Sequence, residues 1–278
     1  MRCNADAAAL GIETAESDGM GAMSDLGVAV VVEDDEDVRH LVEAVLSQAG
    51  FDVHGAASGR EGVDLARSQK ASVVTLDIGL ADIDGFEVLR RIRQFSDAYV
   101  VMLTARADEL DTLTALHTGA DDFMTKPFRP RELRARVAAM MRRPRLDGGD
   151  VKAREQGAAA SAVLTMSRAP GFRHNGLTLD PDTRTVTLDG AAATLTRSEF
   201  DLLQALLKGA GAVRTKADLV RVVRGDYYGA DAYISESDER AVEVHIGNLR
   251  RKLGEDPLQP RWIQTVRGVG YRLAPARN

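Results

Sequence analysis

The first half of the chain alternates between short apolar runs and segments with helical periodicity. The apolar runs cover residues 28–32, 73–76, 99–103 and 122–125, roughly 20 to 45 residues apart. Continuous apolar runs are typical of strands buried on both faces of a parallel sheet. The pattern therefore predicts a doubly wound α/β domain of about 120 residues, built from five βα units around a five-stranded parallel sheet.

The helical segments complete this alternation. In residues 37–49 the apolar side chains recur on one helical face, and Gly50 follows as a stop signal. The remaining helical segments are predicted at residues 62–68, 86–94, 108–117 and 130–141. All but the last lie between two apolar runs, as the crossover helices of a parallel sheet do, and the last follows the final run.

Each of the four apolar runs ends at or just before a polar side chain. These side chains are Asp34, Asp77, Thr104 and Lys126. Because the carboxyl ends of parallel strands converge on one crevice, we expect two carboxylates, a hydroxyl and an ammonium to meet there. Carboxylate oxygens are suitable ligands for Mg²⁺, and a hydroxyl and a cation are suitable partners for phosphoryl oxygens.

Each of these side chains also has an ordinary structural interpretation. The acidic run that begins at Glu33 is typical of residues that cap a helix. Thr104 could be an ordinary hydroxyl at the end of a strand, and Lys126 could be an ordinary solvated lysine. Pro127 allows a cis peptide bond after Lys126. A carboxylate beside Mg²⁺, such as Asp77, can act as a nucleophile toward phosphorus. The order and spacing of the four residues favour the phosphoryl site.

A second pattern follows residue 170. Residues 144–171 are rich in Ala, Gly and Ser with mixed charge, which predicts a flexible linker. Strands are then predicted at 177–179 and 185–188, with Asp189-Gly190 as a hairpin turn, and helices at 197–207, 216–223 and 238–253. Thr196 and Glu199 have capping-box spacing. Residues 262–273 close the chain, with a predicted β-hairpin tip at 267–270.

Length, composition and charge limit the class of protein that this sequence can form. A length of 278 residues suggests two domains, and 44% hydrophobic with 28% charged residues is ordinary for a globular protein. Residues 1–26 lack a long apolar stretch, so we expect a disordered leader, no membrane segment and a cytoplasmic protein. The single Cys3 leaves no disulfide framework. Residues 171–278 carry 16 Lys and Arg against 14 Asp and Glu, a net +2, which leaves −8 for the rest of a chain at −6.

Together these motifs resemble the two-component response regulators of the OmpR/PhoB family. The resemblance covers residues 27–143 as a receiver domain. It also covers residues 172–274 of a winged-helix DNA-binding domain that spans residues 172–278. It implies that Asp77 is the phosphoacceptor and that Thr104 and Lys126 bind the phosphoryl oxygens. For Mg²⁺ it implies Asp34 and Asp77 as ligands, Glu33 acting mostly through water, and the carbonyl of Gly79.

Two residues depart from the family pattern in the receiver. Ala81 stands where Pro is usual, and Phe123 stands at the position of a switch Tyr. Thr104 and Phe123 are the expected switch pair. Phe123 can rotate but has no hydroxyl to donate, so we expect the switch to be retained with altered energetics.

The helix predicted at 238–253 has two faces. Val242, Ile246, Leu249 and Leu253 form an apolar core stripe. The other face is either simply solvated or reads a DNA groove together with a basic wing. The resemblance implies base contacts by Glu243 and Asn248. Phosphate and wing contacts are expected from Arg240, His245, Arg250, Arg251, Thr265 and Arg267. His245 either contacts a DNA phosphate or packs against another helix. A metal site is not expected there, because no Cys or second His lies nearby in the sequence.

The resemblance also implies partners: a sensor histidine kinase, promoter DNA, RNA polymerase and a second copy of the chain. Phosphorylation would pair two receivers through ion pairs among Asp121, Asp122, Glu132, Arg136 and Arg143. The segment 225–237, with Tyr227, Tyr228 and Tyr233, resembles the part that contacts RNA polymerase, although Arg224 replaces the usual Trp before it. Local packing is the alternative role of these tyrosines.

Two other functions fit parts of the sequence. One is a receiver that dimerises and binds DNA without phosphorylation, which the residues Ala81 and Phe123 allow. The other is a Mg²⁺-dependent hydrolase with an aspartyl-phosphate intermediate. Such hydrolases usually carry a second acid two residues after the nucleophile, and Gly79 at that position argues against an enzyme.

Overall fold

The computed structural model describes residues 26–105, 109–141, 171–224 and 234–277. They form two domains, and every hydrophobic cluster lies within one of them. Two clusters cover the two faces of the N-terminal sheet, and a third fills the C-terminal domain. Within the described ranges, no helix is both long and apolar enough to cross a membrane.

The N-terminal domain alternates strands and helices. Its strands are β1 (Val28–Val32), β2 (Asp52–Ala56), β3 (Val73–Asp77), β4 (Tyr99–Thr104) and β5 (Asp122–Thr125). Its helices are α1 (Glu36–Gln48), α2 (Gly59–Ser68), α3 (Gly85–Arg93), α4 (Glu109–Thr118) and α5 (Pro130–Met141). All pairings are parallel, in the order β2-β1-β3-β4-β5. The predicted doubly wound fold is confirmed.

Two local features differ from the sequence pattern. Strand β2 is only partly buried along its length, so it carries no apolar run that would have marked it. Helix α2 begins at Gly59, three residues before the predicted start, with the Ser58 side chain capping it. Its Gly62 lies against Val32, at a separation that leaves no room for a β-carbon. Because this close packing requires glycine, the sequence does not show the apolar periodicity that would mark the start of the helix.

In its described residues, the C-terminal domain combines two antiparallel sheets with three helices. The first sheet contains β6 (Phe172–His174), β7 (Leu177–Asp180), β8 (Thr185–Leu188) and β9 (Ala191–Ala193). The helices are α6 (Arg197–Lys208), α7 (Lys216–Arg224) and α8 (Glu236–Leu253). The second sheet has the order β10-β12-β11, from β10 (Arg214–Thr215), β11 (Ile263–Val266) and β12 (Gly270–Leu273). This is the predicted smaller α+β winged-helix domain.

The turn and cap signals of this domain are found where they were predicted. Asp189 and Gly190 have φ values of 48° and 90° and form the two-residue turn between β8 and β9. Thr196 and Glu199 form the capping box of α6. Helix α8 starts two residues earlier than predicted, because Ser235 caps it with a second capping box.

Candidate functional site

The four polar strand-end residues meet at one crevice of the N-terminal sheet. Asp77 and Thr104 are the last residues of β3 and β4, while Asp34 and Lys126 closely follow β1 and β5. Carboxylate oxygens of Glu33, Asp34 and Asp77 lie within 4.8 Å of one another. Asp34 is exposed, whereas Glu33 and Asp77 are buried. In the same acidic run it is Asp35 that caps α1, which leaves Glu33 and Asp34 for the crevice.

Lys126 bridges the two buried carboxylates. Its Nζ atom lies 2.9 Å from Asp77 Oδ2 and 2.7 Å from Glu33 Oε2. The peptide bond to Pro127 is cis, as the sequence allowed. Burial by itself would lower the pKa of Lys126, but the hydrogen bonds and charges of Glu33 and Asp77 raise it above its ordinary value. The lysine is therefore a firmly charged cation at the crevice.

Glu33 has an unusual protonation equilibrium. Burial and the nearby charge of Asp77 raise its pKa to about 7, although Lys126 opposes both effects. Close carboxylates repel each other in a poorly solvated site, so Glu33 gains and loses its proton near neutrality. A divalent cation would favour the ionised form.

Glycines shape the backbone around Asp77. The Gly79 N–H donates to Asp77 Oδ1 at 3.2 Å, and a β-carbon at Gly79 would have Asp77 Oδ2 as its nearest neighbour, at 3.9 Å. A β-carbon at Gly85 would instead lie 2.3 Å from the backbone carbonyl oxygen of Asp77. Only a residue without a side chain lets α3 begin directly against Asp77.

The substitution Gly85→Ala is expected to destabilise the receiver fold by about 1–3 kcal/mol, because the new methyl group overpacks against the Asp77 backbone. Gly79→Ala is the matched control, since its β-carbon makes only an ordinary contact; we expect a change within about 0.5 kcal/mol. Urea unfolding of the full chain measures both. Equal midpoints for the two variants would contradict the proposed close approach of α3 to Asp77.

Comparisons with known proteins agree with this geometry. The family model described as "Response regulator receiver domain" matches residues 29–138, and the model "Transcriptional regulatory protein, C terminal" matches residues 190–273. The chain belongs to the OmpR/PhoB family of response regulators. It is accordingly a DNA-binding regulator of transcription.

Two curated relatives span nearly the whole chain. "Probable transcriptional regulator ycf27" of Guillardia theta is 38% identical over 242 residues, covering 87% of this chain and 88% of the relative. "Transcriptional regulatory protein AfsQ1" of Streptomyces coelicolor is 37% identical over 247 residues, covering 88% and 97%. A solved structure of a mutant of RitR shares the fold at 22% identity with a TM-score of 0.65, covering 89% of this chain and 99% of that chain.

The two predicted switch residues of this response regulator occupy different environments. Thr104 is buried at the crevice, whereas Phe123 is half-buried on β5. Phe123 also lines a cleft of about 350 Å³ between the two domains, together with Arg224 and Asp238. Ala81, the other departure from the family pattern, is exposed. Phe123 therefore lies at the cleft that separates the receiver from the DNA-binding domain.

The predicted DNA-binding residues divide into three groups. The exposed ones are Arg240, Glu243, Arg251, Thr265 and Arg267. Arg267 is at the tip of the β11–β12 hairpin, beside Gly268, whose φ is 73°. Glu243 pairs with Lys216 of α7. These side chains lie on α8 and the wing, and their contact with DNA stays a prediction.

Arg250 forms the second group. Its Nη2 atom donates to the Ile263 carbonyl and to Thr265 Oγ1, each at 2.8 Å, which ties α8 to β11. Its Nε atom lies 3.6 Å from the buried carboxylate of Glu255. Arg250 therefore has a structural role inside the domain, which its polar position on the helix did not reveal. For Arg250 to contact a DNA phosphate, its guanidinium group would have to share or break these hydrogen bonds to Ile263 and Thr265.

His245 and Asn248 form the third group, and the receiver covers both. Their exposed fractions are 1% and 2%. The Nε2 atom of His245 is 3.2 Å from the carbonyl oxygen of Asp121, and Asn248 Nδ2 donates to the Leu116 carbonyl at 2.8 Å. Burial lowers the pKa of His245, with nearby acids opposing, so the ring is neutral. Of the two roles predicted for His245, the structure shows helix packing, and the surface that His245 packs against belongs to the receiver domain.

The predicted dimer-face residues are paired within one chain. Arg136 lies 2.8 Å from Asp122 Oδ2 and 2.7 Å from Glu132 Oε1, and Asp121 lies 2.6 Å from Arg93. Asp121 and Asp122 are buried rather than presented to solvent. Arg143, the tyrosines Tyr227, Tyr228 and Tyr233, the predicted linker up to residue 170 and the leader up to residue 25 lie outside the described residues.

The sequence did not reveal the contact between the domains. Its participants include Leu116, Asp121, Ser198 and Arg224, which helical or strand periodicity marks only as apolar or polar. The one sequence feature that pointed to this contact was Arg224, an arginine at the position where the family usually has Trp.

Proposed function

We propose that this response regulator accepts a phosphoryl group from a histidine kinase on Asp77 and then binds promoter DNA as a dimer. The observation that carries the proposal is the crevice itself. Asp77 lies beside the Lys126 ammonium at 2.9 Å and among two further carboxylates within 4.8 Å. A nucleophile, a cation and oxygen ligands are what transfer of a phosphoryl group to a carboxylate needs.

The residues at the crevice fit a magnesium ion. Glu33, Asp34 and Asp77 supply carboxylate oxygens, and the exposed Gly79 offers a backbone carbonyl, so every donor is the hard oxygen that Mg²⁺ prefers. When bound, Mg²⁺ would offset the negative charge that the carboxylates and the phosphoryl oxygens bring together.

The chain's own residues account for the transfer. A carboxylate oxygen of Asp77 forms the new bond to phosphorus as the bond between phosphorus and the donor's histidine nitrogen breaks, and that nitrogen keeps the electron pair. Lys126 contacts a phosphoryl oxygen, and the Thr104 hydroxyl moves toward another. Phe123 follows Thr104 and changes the face formed by α4, β5 and α5.

Pairing of two receivers would raise the affinity for DNA. With two DNA-binding domains on linkers of residues 144–171, binding of one to its half-site increases the effective concentration of the other. Exposed Arg267 at the wing and the exposed face of α8 would then contact promoter DNA, and the segment 225–237 would contact RNA polymerase.

The test is labelling of the full chain with radioactive acetyl phosphate and Mg²⁺. We expect labelling that approaches one phosphoryl group per chain. Release of many phosphates per chain would indicate the hydrolase instead. A chain that stays unlabelled yet binds DNA would indicate the phosphorylation-independent regulator.

Lys126→Ala is expected to leave Mg²⁺ binding intact and to abolish phosphodonor-dependent dimerisation, because the proposed role of the ammonium is to hold the phosphoryl group. Arg129→Ala removes an exposed cation from the same loop and serves as the control. Calorimetry measures Mg²⁺ binding, and light scattering measures the molar mass after treatment with phosphodonor. Normal dimerisation of the Lys126 variant would exclude this role.

A further inference from the structure

A buried carboxylate joins the end of α8 to the first strand of the wing, which is the β11–β12 hairpin. Glu255 lies two residues after the last residue of α8. Its Oε1 atom accepts hydrogen bonds from three consecutive backbone N–H groups, those of Arg261, Trp262 and Ile263. The bonds from Arg261 and Ile263 are both 2.9 Å long. One side chain therefore fixes the point at which β11 begins.

Arg250 holds the wing from the last turn of α8. Its Nη2 atom donates to the Ile263 carbonyl and to Thr265 Oγ1, both on β11. Its guanidinium carbon also lies 5.7 Å from the centroid of the Tyr271 ring on β12, which is within the range of a cation–π contact. Arg250 thus contacts both strands of the wing.

Arg250 and Glu255 also face each other. The Nε atom of Arg250 lies 3.6 Å from Glu255 Oε2, and the two side chains are 13% and 0% exposed. Among the residues that the structure describes, neither of these two atoms has a hydrogen-bond partner, so the ion pair is what stabilises both. Loss of either member would leave the other as a buried charge without its counter-charge. We call Arg250 and Glu255 the wing clamp.

The wing needs a fixed direction if it is to contact the same duplex as α8. The major and minor grooves of a duplex have set positions, so a helix in one and a hairpin tip in the other must keep a set separation. The exposed tip carries Arg267. At the base of the hairpin, β10 pairs with β12 over two residues, and the wing clamp holds β11. Side chains of this kind keep a binding group in its productive place.

We propose that Arg250 and Glu255 are positioning residues for DNA binding: the wing clamp fixes the direction of the wing relative to α8, so that Arg267 reaches the duplex that α8 contacts. This role rests on the proposed function for the contact between Arg267 and DNA. It deepens that function, because Arg250, expected from the resemblance to contact a phosphate, acts here through Arg267.

The experiment replaces Glu255 by Gln in the full chain. Gln keeps an oxygen for the three N–H groups but places an NH₂ donor where Oε2 faces Arg250. Asp201→Asn is the matched control. Asp201 is buried in the same domain and lies 3.2 Å from Arg184, whose guanidinium carbon is 4.3 Å from the Phe200 ring centroid. Each change therefore removes one buried negative charge that faces an arginine.

Affinity gives the first measurement. The DNA probe is a duplex selected from a random pool by phosphodonor-treated wild-type chain, and treated proteins are compared. We expect Glu255→Gln to weaken binding about tenfold, a usual size for coupling between residues that share partners. Asp201→Asn should bind as well as the wild type or slightly better, because loss of a negative charge favours contact with DNA. Urea unfolding checks that both variants are folded.

The salt dependence shows whether the wing clamp acts through Arg267. Arg267→Ala alone should reduce the salt slope by about one unit. In the Glu255→Gln background the tip is already displaced, so Arg267→Ala should change the slope by less than about half a unit. A variant that is only less stable would lose affinity but would still depend on Arg267.

Arg250→Lys provides a second variant. Lys keeps the positive charge but lacks the planar group that contacts Glu255, Ile263 and Thr265 together. A direct phosphate contact by Arg250 predicts that Lys retains binding and the full dependence on Arg267. Positioning predicts weaker binding and the same loss of dependence on Arg267 as in Glu255→Gln.

Two results would overturn the proposal. One is wild-type affinity in both Glu255→Gln and Arg250→Lys. The other is an effect of Arg267→Ala on the salt slope that is as large in these backgrounds as in the wild type. Failure of the proposed function is a different result: treated wild-type chain would select no duplex, or Arg267→Ala alone would leave the salt slope unchanged.

Discussion

Asp77→Asn is expected to abolish labelling of the full chain by acetyl phosphate in the presence of Mg²⁺. The amide is a poor nucleophile and lacks the charge that a metal ligand supplies. Its shape is nearly that of the carboxylate, and its oxygen can still accept the hydrogen bond from Lys126 that the structure shows at 2.9 Å. The loss would therefore be chemical rather than a consequence of unfolding.

Asp84→Asn provides the control for this experiment. Asp84 lies in the same loop and caps α3 by accepting from the Phe86 N–H at 3.0 Å. Asn caps helices about as well as Asp, so this variant loses a carboxylate without losing the cap. It should label like the wild type. Labelling that persists in Asp77→Asn would move the phosphoacceptor to another residue.

Arg267→Ala is expected to weaken DNA binding across all sequences and to reduce the salt dependence by about one unit of slope. Arg267 is exposed at the tip of the wing, where its charge would lie among phosphates and release counterions. Arg173→Ala removes an exposed charge from β6, where no DNA contact is proposed, and should leave the slope nearly unchanged.

Asn248→Ala should give a different result. Loss of an amide that pairs with a base relaxes preference at one position, costing about 1–3 kcal/mol of discrimination, while the salt slope stays nearly constant. Because Asn248 also donates to the Leu116 carbonyl, the measurement uses phosphodonor-treated protein. Binding is measured on the selected duplex and its single-base variants over a salt series. Identical changes in both variants would refute the division between a reading helix and an anchoring wing.

The sequence by itself determined the crevice and most of its surroundings. A buried parallel strand is a local apolar run, and its carboxyl end must lie at one edge of the sheet, so Asp77, Thr104 and Lys126 were placed without knowledge of any contact. The Asp189-Gly190 turn and the Thr196 cap were equally predictable, because backbone conformation at turns and caps depends on neighbouring residues.

Only the tertiary structure decided which polar residues of α8 are free to meet DNA. Periodicity separated the apolar stripe of Val242 and Ile246 from a polar face, and polarity in a sequence predicts exposure. His245 and Asn248 are nevertheless buried, because carbonyl groups of the receiver more than 120 residues away satisfy their hydrogen bonds. A partner of that kind leaves no local pattern, since it depends on how two separately cored domains dock.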